Sequence, residues 1–419
     1  MAAISLRLLP HQREKEGMAS PRVGRSPSIA TLMVMASCGP LSLSLILPAL
    51  PQMAAYFKTD YQVMQLTVSV YMAFVVLAQA VVGPISDRLG RRPTMLACLA
   101  CFTVGTLCAV AAPRFEILML GRMLQSTAVG GMVLAYAVVR DISSGSAEAA
   151  SRIGYVAMGM GIAPLVAPMI GGVVQEIYGW KAIFGLMLCF GILATLIVFL
   201  DLNETNQFRS SSFRSQVQSY PEVIRSGVFW RYSAATALAS GGFYAFLGGA
   251  PFVASEILNL SPANIGIGFG IISIGSMAGN FLSGHLSRRS GIDIMILMGS
   301  LCALSGGTLL VGLQAFGISS WLSLFGPMCI LAMGFGLTMP NASAGIASIN
   351  PRIAGSASGL AGTVQYSVGA LLAFGVGSML SHSSGASPLY LVMLATAVAS
   401  CANALLILAA TRRSFGGPI

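Results

Sequence analysis

The stretch Gly83-Pro84-Ile85-Ser86-Asp87-Arg88-Leu89-Gly90-Arg91-Arg92-Pro93 sets four charges between two long apolar runs. A tight charged loop squeezed between hydrophobic stretches is what joins two membrane spans, and the rest of the chain agrees. Hydrophobic residues make up 55% of the 419 and charged ones 9%. The mean hydropathy is +0.80, a balance that a soluble domain does not keep on its surface. Apolar runs near the length a bilayer core demands, roughly 20 residues, fall at 29–50, 63–83, 94–113, 117–139, 150–174, 180–200, 232–254, 264–284, 294–316, 321–343, 355–380 and 387–410. They predict an all-α polytopic membrane protein with twelve transmembrane helices.

The 23 Lys and Arg orient it. With the N-terminus in the cytoplasm, 19 of them fall in cytoplasmic segments, Lys58, Arg114 and Lys181 fall outside, and Arg122 stays within a span. The positive-inside rule then puts both termini in the cytoplasm, and the net charge of +10 needs no nucleic acid to explain it. The expected layout is a basic cytoplasmic arm (1–28), a six-helix half (29–200), a central cytoplasmic loop (201–231), a second six-helix half (232–410) and a tail (411–419). The arm has no apolar stretch, so it reads as a disordered extension rather than a signal peptide, with contact to anionic lipid as the alternative.

All eight cysteines fall within the apolar spans and read as small buried hydrophobes. Cys98 and Cys101 form a C-x-x-C, but without the further ligands or the polar, accessible setting that metal or redox chemistry needs. His285 and His382 stand at span ends with nothing to pair them. No metal or cofactor is expected.

The polar stretch Asp201 to Arg231 divides the spans six and six. Aligning Gly83 with Gly284 lays Asp87-Arg88-Leu89-Gly90 over Arg288-Arg289-Ser290-Gly291 at an offset of 201 residues, each just after the second span of its half. Duplicated halves with a cavity between them are a recurrent transporter plan, because rocking one half against the other exposes a midplane site to each side in turn.

With Gly83, Asp87, Arg88, Gly90, Arg91 and Arg92 in register, the first loop resembles the signature between helices two and three of the major facilitator superfamily. Arg122-Met123-Leu124-Gln125-Ser126-Thr127-Ala128-Val129-Gly130-Gly131 is similar to the fourth-helix signature of its drug exporters. Gly154, Ala163, Ala167-Pro168 and Gly171-Gly172 resemble the fifth-helix antiporter motif, with alanine at two of the usual glycines. Leu47-Pro48-Ala49-Leu50-Pro51, Val139-Arg140-Asp141 and Gly179-Trp180-Lys181-Ala182-Ile183-Phe184 resemble the bicyclomycin and chloramphenicol resistance type of drug:proton antiporter. The likeness is specific mainly over residues 44–184. It implies a monomer in the bacterial inner membrane that exports small molecules against a proton gradient, with no cofactor.

Each motif has a physical reading of its own. Asp87, at a helix end, can accept from the N-terminal NH groups of a neighbouring helix. The resemblance makes Asp87 and Arg91 a latch for one access state, with Gly83 letting helices approach; otherwise these charges only anchor the loop. Arg122 lies inside the membrane, where a charge costs at least about 2.5 kcal/mol and marks a functional site by default. The resemblance implies that it polarises the cavity or takes part in proton coupling with Gln125 and Asp141; otherwise it snorkels to the outer interface. The fifth-span motif offers a small-residue face bent by Pro164 and Pro168, which the resemblance associates with export by sealing a leak path and which otherwise simply packs. Gly275 with Gly279 and Gly355 with Gly359 read as packing pairs.

None of the 13 Asp and Glu lies in the middle of a span. Relatives of the resistance type carry an Asp three residues before the Leu-Pro-Ala-Leu-Pro stretch, and here that position is Ser44. The remaining cavity candidates are Ser44, Tyr71, Arg122, Gln125, Phe243, Tyr244, Asn341, Gln365 and Tyr366, each equally able to serve as interhelical glue. An apolar lining with a few hydroxyls and amides suits small neutral or weakly acidic molecules. The expected function is proton-driven export of such molecules. An importer or facilitator of an organic anion drawn to Arg122 is the alternative, and a membrane enzyme or receptor the remote one, since the longest loop holds no catalytic cluster.

Overall fold

The computed structural model describes residues 26–143, 146–206, 221–349, 354–381 and 383–415. These residues form helices and short turns. Eleven helices among them are long and apolar enough to cross a bilayer: Ile29–Phe57, Tyr61–Leu89, Arg91–Val110, Phe115–Ile142, Trp180–Asp201, Gly227–Ile257, Pro262–Ser287, Ile292–Ala315, Trp321–Ala347, Ala357–Met379 and Ser387–Thr411. Between the fourth and fifth of these runs one more helix of 33 residues, Ser146–Tyr178, over the expected fifth span. The expected spans are thus all helical, and below they are numbered one to twelve in chain order.

Serine starts several of them. Ser28, Ser226, Ser261 and Ser320 each accept a hydrogen bond from the backbone NH three residues on, which satisfies a donor that the first helical turn leaves free. Most spans run past their apolar cores, since charged residues at the interface continue the helix. The clearest case is the stretch 83–93. It is no loop: span two stays helical through Pro84 to Leu89, span three begins at Arg91, and Gly90 alone makes the break. Its φ of 109° belongs to a region that side chains with a Cβ avoid. Gly291, at the aligned position of the second half, breaks spans eight and nine in the same way with φ 80°.

In the first half, span one packs on spans four and five, and span three on four and six. In the second half, span seven packs on ten, eleven and twelve, and span nine on ten and twelve. The halves join where span two meets eleven and span five meets eight. Small residues make these contacts close: a Cβ on Gly121 would overlap the Gly105 carbonyl, and one on Gly334 the Gly299 carbonyl, the same third-to-fourth pairing in each half.

Large apolar side chains such as Leu77, Phe281, Leu371 and Leu406 cover the outside, as a surface facing lipid requires. Two of the cysteines lie there too. Cys101 and Cys189 are exposed rather than buried, because they fall on the outer faces of spans three and six.

Candidate functional site

Arg122 is fully buried, so it does not snorkel. Its Nε donates to the Thr67 carbonyl at 3.2 Å and its Nη1 to the Ser42 carbonyl at 3.1 Å and Gln125 Oε1 at 2.7 Å. Its guanidinium lies over the Tyr71 ring, 4.3 Å from the centroid, a stacking favourable to a desolvated cation. Nη2 is buried with no hydrogen-bond partner. Gln125, in turn, donates to Thr106 Oγ1 at 2.9 Å. The cluster therefore draws on spans one to four and holds one positive charge on carbonyl dipoles and a π face, with no carboxylate among its described partners.

Three expected members stand differently. Asp141 lies 19 residues further along span four, about 28 Å at 1.5 Å per residue, and belongs to the inner end instead. Ser44 is buried where the first helical piece of span one ends, and the serine that meets Arg122 is Ser42. Tyr71 donates to the Gly39 carbonyl at 3.0 Å, so its hydroxyl ties spans one and two together.

The second half contributes aromatics. Phe243 stacks on Phe335, with centroids 5.4 Å apart and planes at 16°, and the Tyr244 and Tyr366 rings are 5.6 Å apart. Tyr136 of span four donates to Met160 Sδ at 3.5 Å. Phe335 and Tyr136 went unread in the sequence, where nothing sets one Phe among 20 or one Tyr among 11 apart. Asn341 does not join this group. It donates to Ser283 Oγ at 2.7 Å and accepts from Ser287 Oγ at 2.8 Å, which makes it glue between spans eight and ten.

At the inner end, Arg91 is the hub. It is 5% exposed and donates to Asp87, to Asp141 Oδ2 at 3.0 Å and to Ser86 Oγ at 2.6 Å. Asp87 sits within the last turn of span two. The carboxylate that caps span three is Glu204, which accepts from the backbone NH of Arg91 at 2.9 Å and of Arg92 at 3.3 Å. Asn206 follows with a bond to the Asp87 carbonyl at 2.9 Å, so the start of the central loop is strapped across the junction. Arg92 donates to the Phe199 carbonyl and lies over its ring, while Arg88 is exposed. A Cβ on Gly83 would meet no atom within 4 Å, so the close approach expected there is not made in this conformation.

The small-residue face of span five packs two ways. Gly171 lies on the Leu45 carbonyl of span one, and Gly172 on the Pro262 carbonyl at the start of span eight. Ala163, Ala167 and Pro168 are buried beside them. Pro168 has no NH for the Pro164 carbonyl four residues back, and the Ser273 hydroxyl of span eight reaches that carbonyl at 3.0 Å, sharing its proton with the Phe269 carbonyl of its own helix at the same distance. Gly154 lies in the same helix, in a stretch whose side-chain surroundings fall outside the described residues. Gly275 and Gly279 pack on the Cys329 and Met333 carbonyls of span ten, as packing glycines do, whereas Gly359 faces open space. Gly355, with His382, lies outside the described side chains.

Comparison with known proteins agrees with this fold. The chain is 29% identical over 380 residues to the MFS-type transporter YdgK of Bacillus subtilis, covering 88% of this chain and 92% of that protein. It is 25% identical to a chloramphenicol resistance protein of Pseudomonas aeruginosa (81% and 80% covered). It is 26% identical to multidrug resistance protein D of Escherichia coli (80% and 84%). Among solved structures it superposes on an inward-facing, unoccupied bacterial homologue of the human lysosomal transporter Spinster with a TM-score of 0.70 at 16% identity, covering 90% of this chain and 95% of that one. The description Major Facilitator Superfamily matches residues 32–374. The chain therefore belongs to the Major Facilitator Superfamily of membrane transporters.

Proposed function

We propose that this transporter exports small neutral amphiphilic molecules, antibiotics among them, from the cytoplasm across a bacterial plasma membrane as a proton-driven monomer. The observation that carries the reading is the charge pattern of the interior. The second half contributes paired aromatic rings, the first half shields its arginine among carbonyls and a ring, and the described carboxylates stand at the ends of the spans. A cationic molecule would find no counter-charge there, while a flat neutral one finds rings to stack on and donors for its oxygens. The distant relatives named for chloramphenicol and multidrug resistance support export of this kind. Proton coupling then falls to Asp87 and Asp141, which share Arg91: protonating Asp87 loosens span two from span three, and protonating Asp141 loosens span four from span three.

The organic-anion reading depended on Arg122 reaching the cavity, and its burial over Tyr71 removes that motive. The test is uptake of a neutral phenicol and of a cationic dye into inside-out vesicles under an imposed pH gradient. Wild type is expected to accumulate the phenicol and ignore the dye, and Ser44→Asp to gain dye transport. Equal transport with and without the gradient, or no transport of either compound, overturns the proposal.

A further inference from the structure

One turn of span two holds the outer ends of the two halves together. Tyr61 Oη donates to the Gly248 carbonyl at 3.0 Å, Gln62 Nε2 to the Leu380 carbonyl at 3.0 Å, and Gln65 Nε2 to the Ala373 carbonyl at 2.7 Å. All three acceptors belong to the second half, on span seven or at the outer end of span eleven. Gln65 is fully buried, and it fills a notch: a Cβ on Gly248 would overlap its Nε2, and one on Gly377 its Oε1. The Tyr61 ring packs on Phe252 with centroids 5.0 Å apart.

Span seven is irregular where it receives this contact. Pro251 is followed by a single π-helical turn, Val253–Ile257, a form that is rare and concentrated at functional positions. Behind the turn lies a cavity of about 170 Å³, lined among others by Val253, Ile257, Leu258, Leu310, Gln314 and Tyr390. The receiving element therefore has both an adjustable backbone and space to move into.

We propose that Gln65, seated between Gly248 and Gly377, is the latch of the outer gate, and that the π turn of span seven is the element that yields when the gate opens. The latch consists of neutral side chains on backbone carbonyls, each bond of modest net strength. Gln65 Oε1 is moreover buried without a partner, which offsets part of what its Nε2 gains. Such a latch closes the outer side without locking it, as a protein that must open there once per cycle requires. Gln65 has its acceptor in one access state only, so removing its donor shifts the balance between states.

The test is hydrogen–deuterium exchange of the full chain in lipid nanodiscs, followed by mass spectrometry, which needs no substrate and is independent of what the transporter carries. Gln65→Met keeps the length of the side chain and loses the donor. It is expected to raise the opening equilibrium at peptides covering 58–66, 246–258 and 373–381 about five-fold, and to slow exchange at the inner ends of spans two and eleven. Gly377→Val, which evicts Gln65, is expected to do the same more strongly. Gln62→Ala, at an exposed position that does not endanger folding, is expected to shift exchange in the same sense by less. Unchanged exchange at the outer ends in all three variants overturns the proposal. So does a rise at both faces together, since that reports a looser fold and not a displaced gate.

Discussion

Arg122 shows what a single residue can and cannot tell in advance. A lone basic residue inside a span is legible at once, because the bilayer makes it expensive. Its partners are not, since the Ser42 and Thr67 carbonyls and the Gln125 side-chain oxygen look like any others until the helices are packed. The same holds for Asp87 and Glu204: both are carboxylates at span ends, and only the turn at Gly90 decides which one caps span three. The environment of Arg122 leads to a definite expectation. No carboxylate compensates its desolvation among the described residues, so replacing it with an apolar residue of similar length removes a burial cost along with its hydrogen bonds. Gln125 Oε1 then loses its donor, at about 1–3 kcal/mol. Arg122→Met is thus expected to keep its melting temperature in detergent within about 5 °C of wild type while vesicle transport drops at least ten-fold. A collapse of the melting temperature would make Arg122 a structural residue, and unchanged transport would remove it from the mechanism.

At the scale of elements, hydropathy located the spans well and their ends poorly. Apolarity stops at the edge of the hydrocarbon, while the helix stops where the backbone is broken or capped, so the charged stretch 83–93 reads as a loop and folds as two helix ends around Gly90. The aligned Gly291 confirms that the repeat offset of 201 reflects a repeated junction. The fifth-span motif was legible as a surface of small residues, but its partner was not, because composition does not say which helix will press against it. That partner, span eight, answers a defect that proline creates, and the answer can be measured as a coupling. Ser273→Ala leaves the Pro164 carbonyl without its donor and is expected to cost about 1 kcal/mol. In a Pro168→Ala background the helix supplies its own NH to that carbonyl, so the same Ser273→Ala change is expected to cost much less. A double-mutant cycle on thermal stability reads the difference; additive effects would mean that the Ser273 bond does not serve the proline.

At the scale of the whole molecule, one helix pair that joins the halves is in contact near the outer face and parts toward the inner one. Spans two and eleven run antiparallel: Gln65 bonds to Ala373 near the outer face, and a Cβ on Gly362 would lie 3.5 Å from Gln79 Oε1 further in. Continuing that register inward brings Gly83 opposite Gly359. There contact has ended, for a Cβ on either glycine would meet no atom within 4 Å. A glycine that nothing crowds is not needed by this conformation, and its place in the register points to the other one, in which the inner ends come together. Larger side chains at these two positions fit the present arrangement and obstruct closure. Gly83→Leu and Gly359→Leu are therefore expected to fold and melt like wild type, to lose vesicle transport by at least ten-fold, and to keep the inner ends of both spans open to hydrogen exchange. The double variant should do no more than either single one, because one obstruction already holds the helices apart. Wild-type transport in both variants would show that the inner ends do not close along this line. A fall in stability would show that Gly83 is packed after all, and the separation of the inner ends would then have to be sought elsewhere than between spans two and eleven.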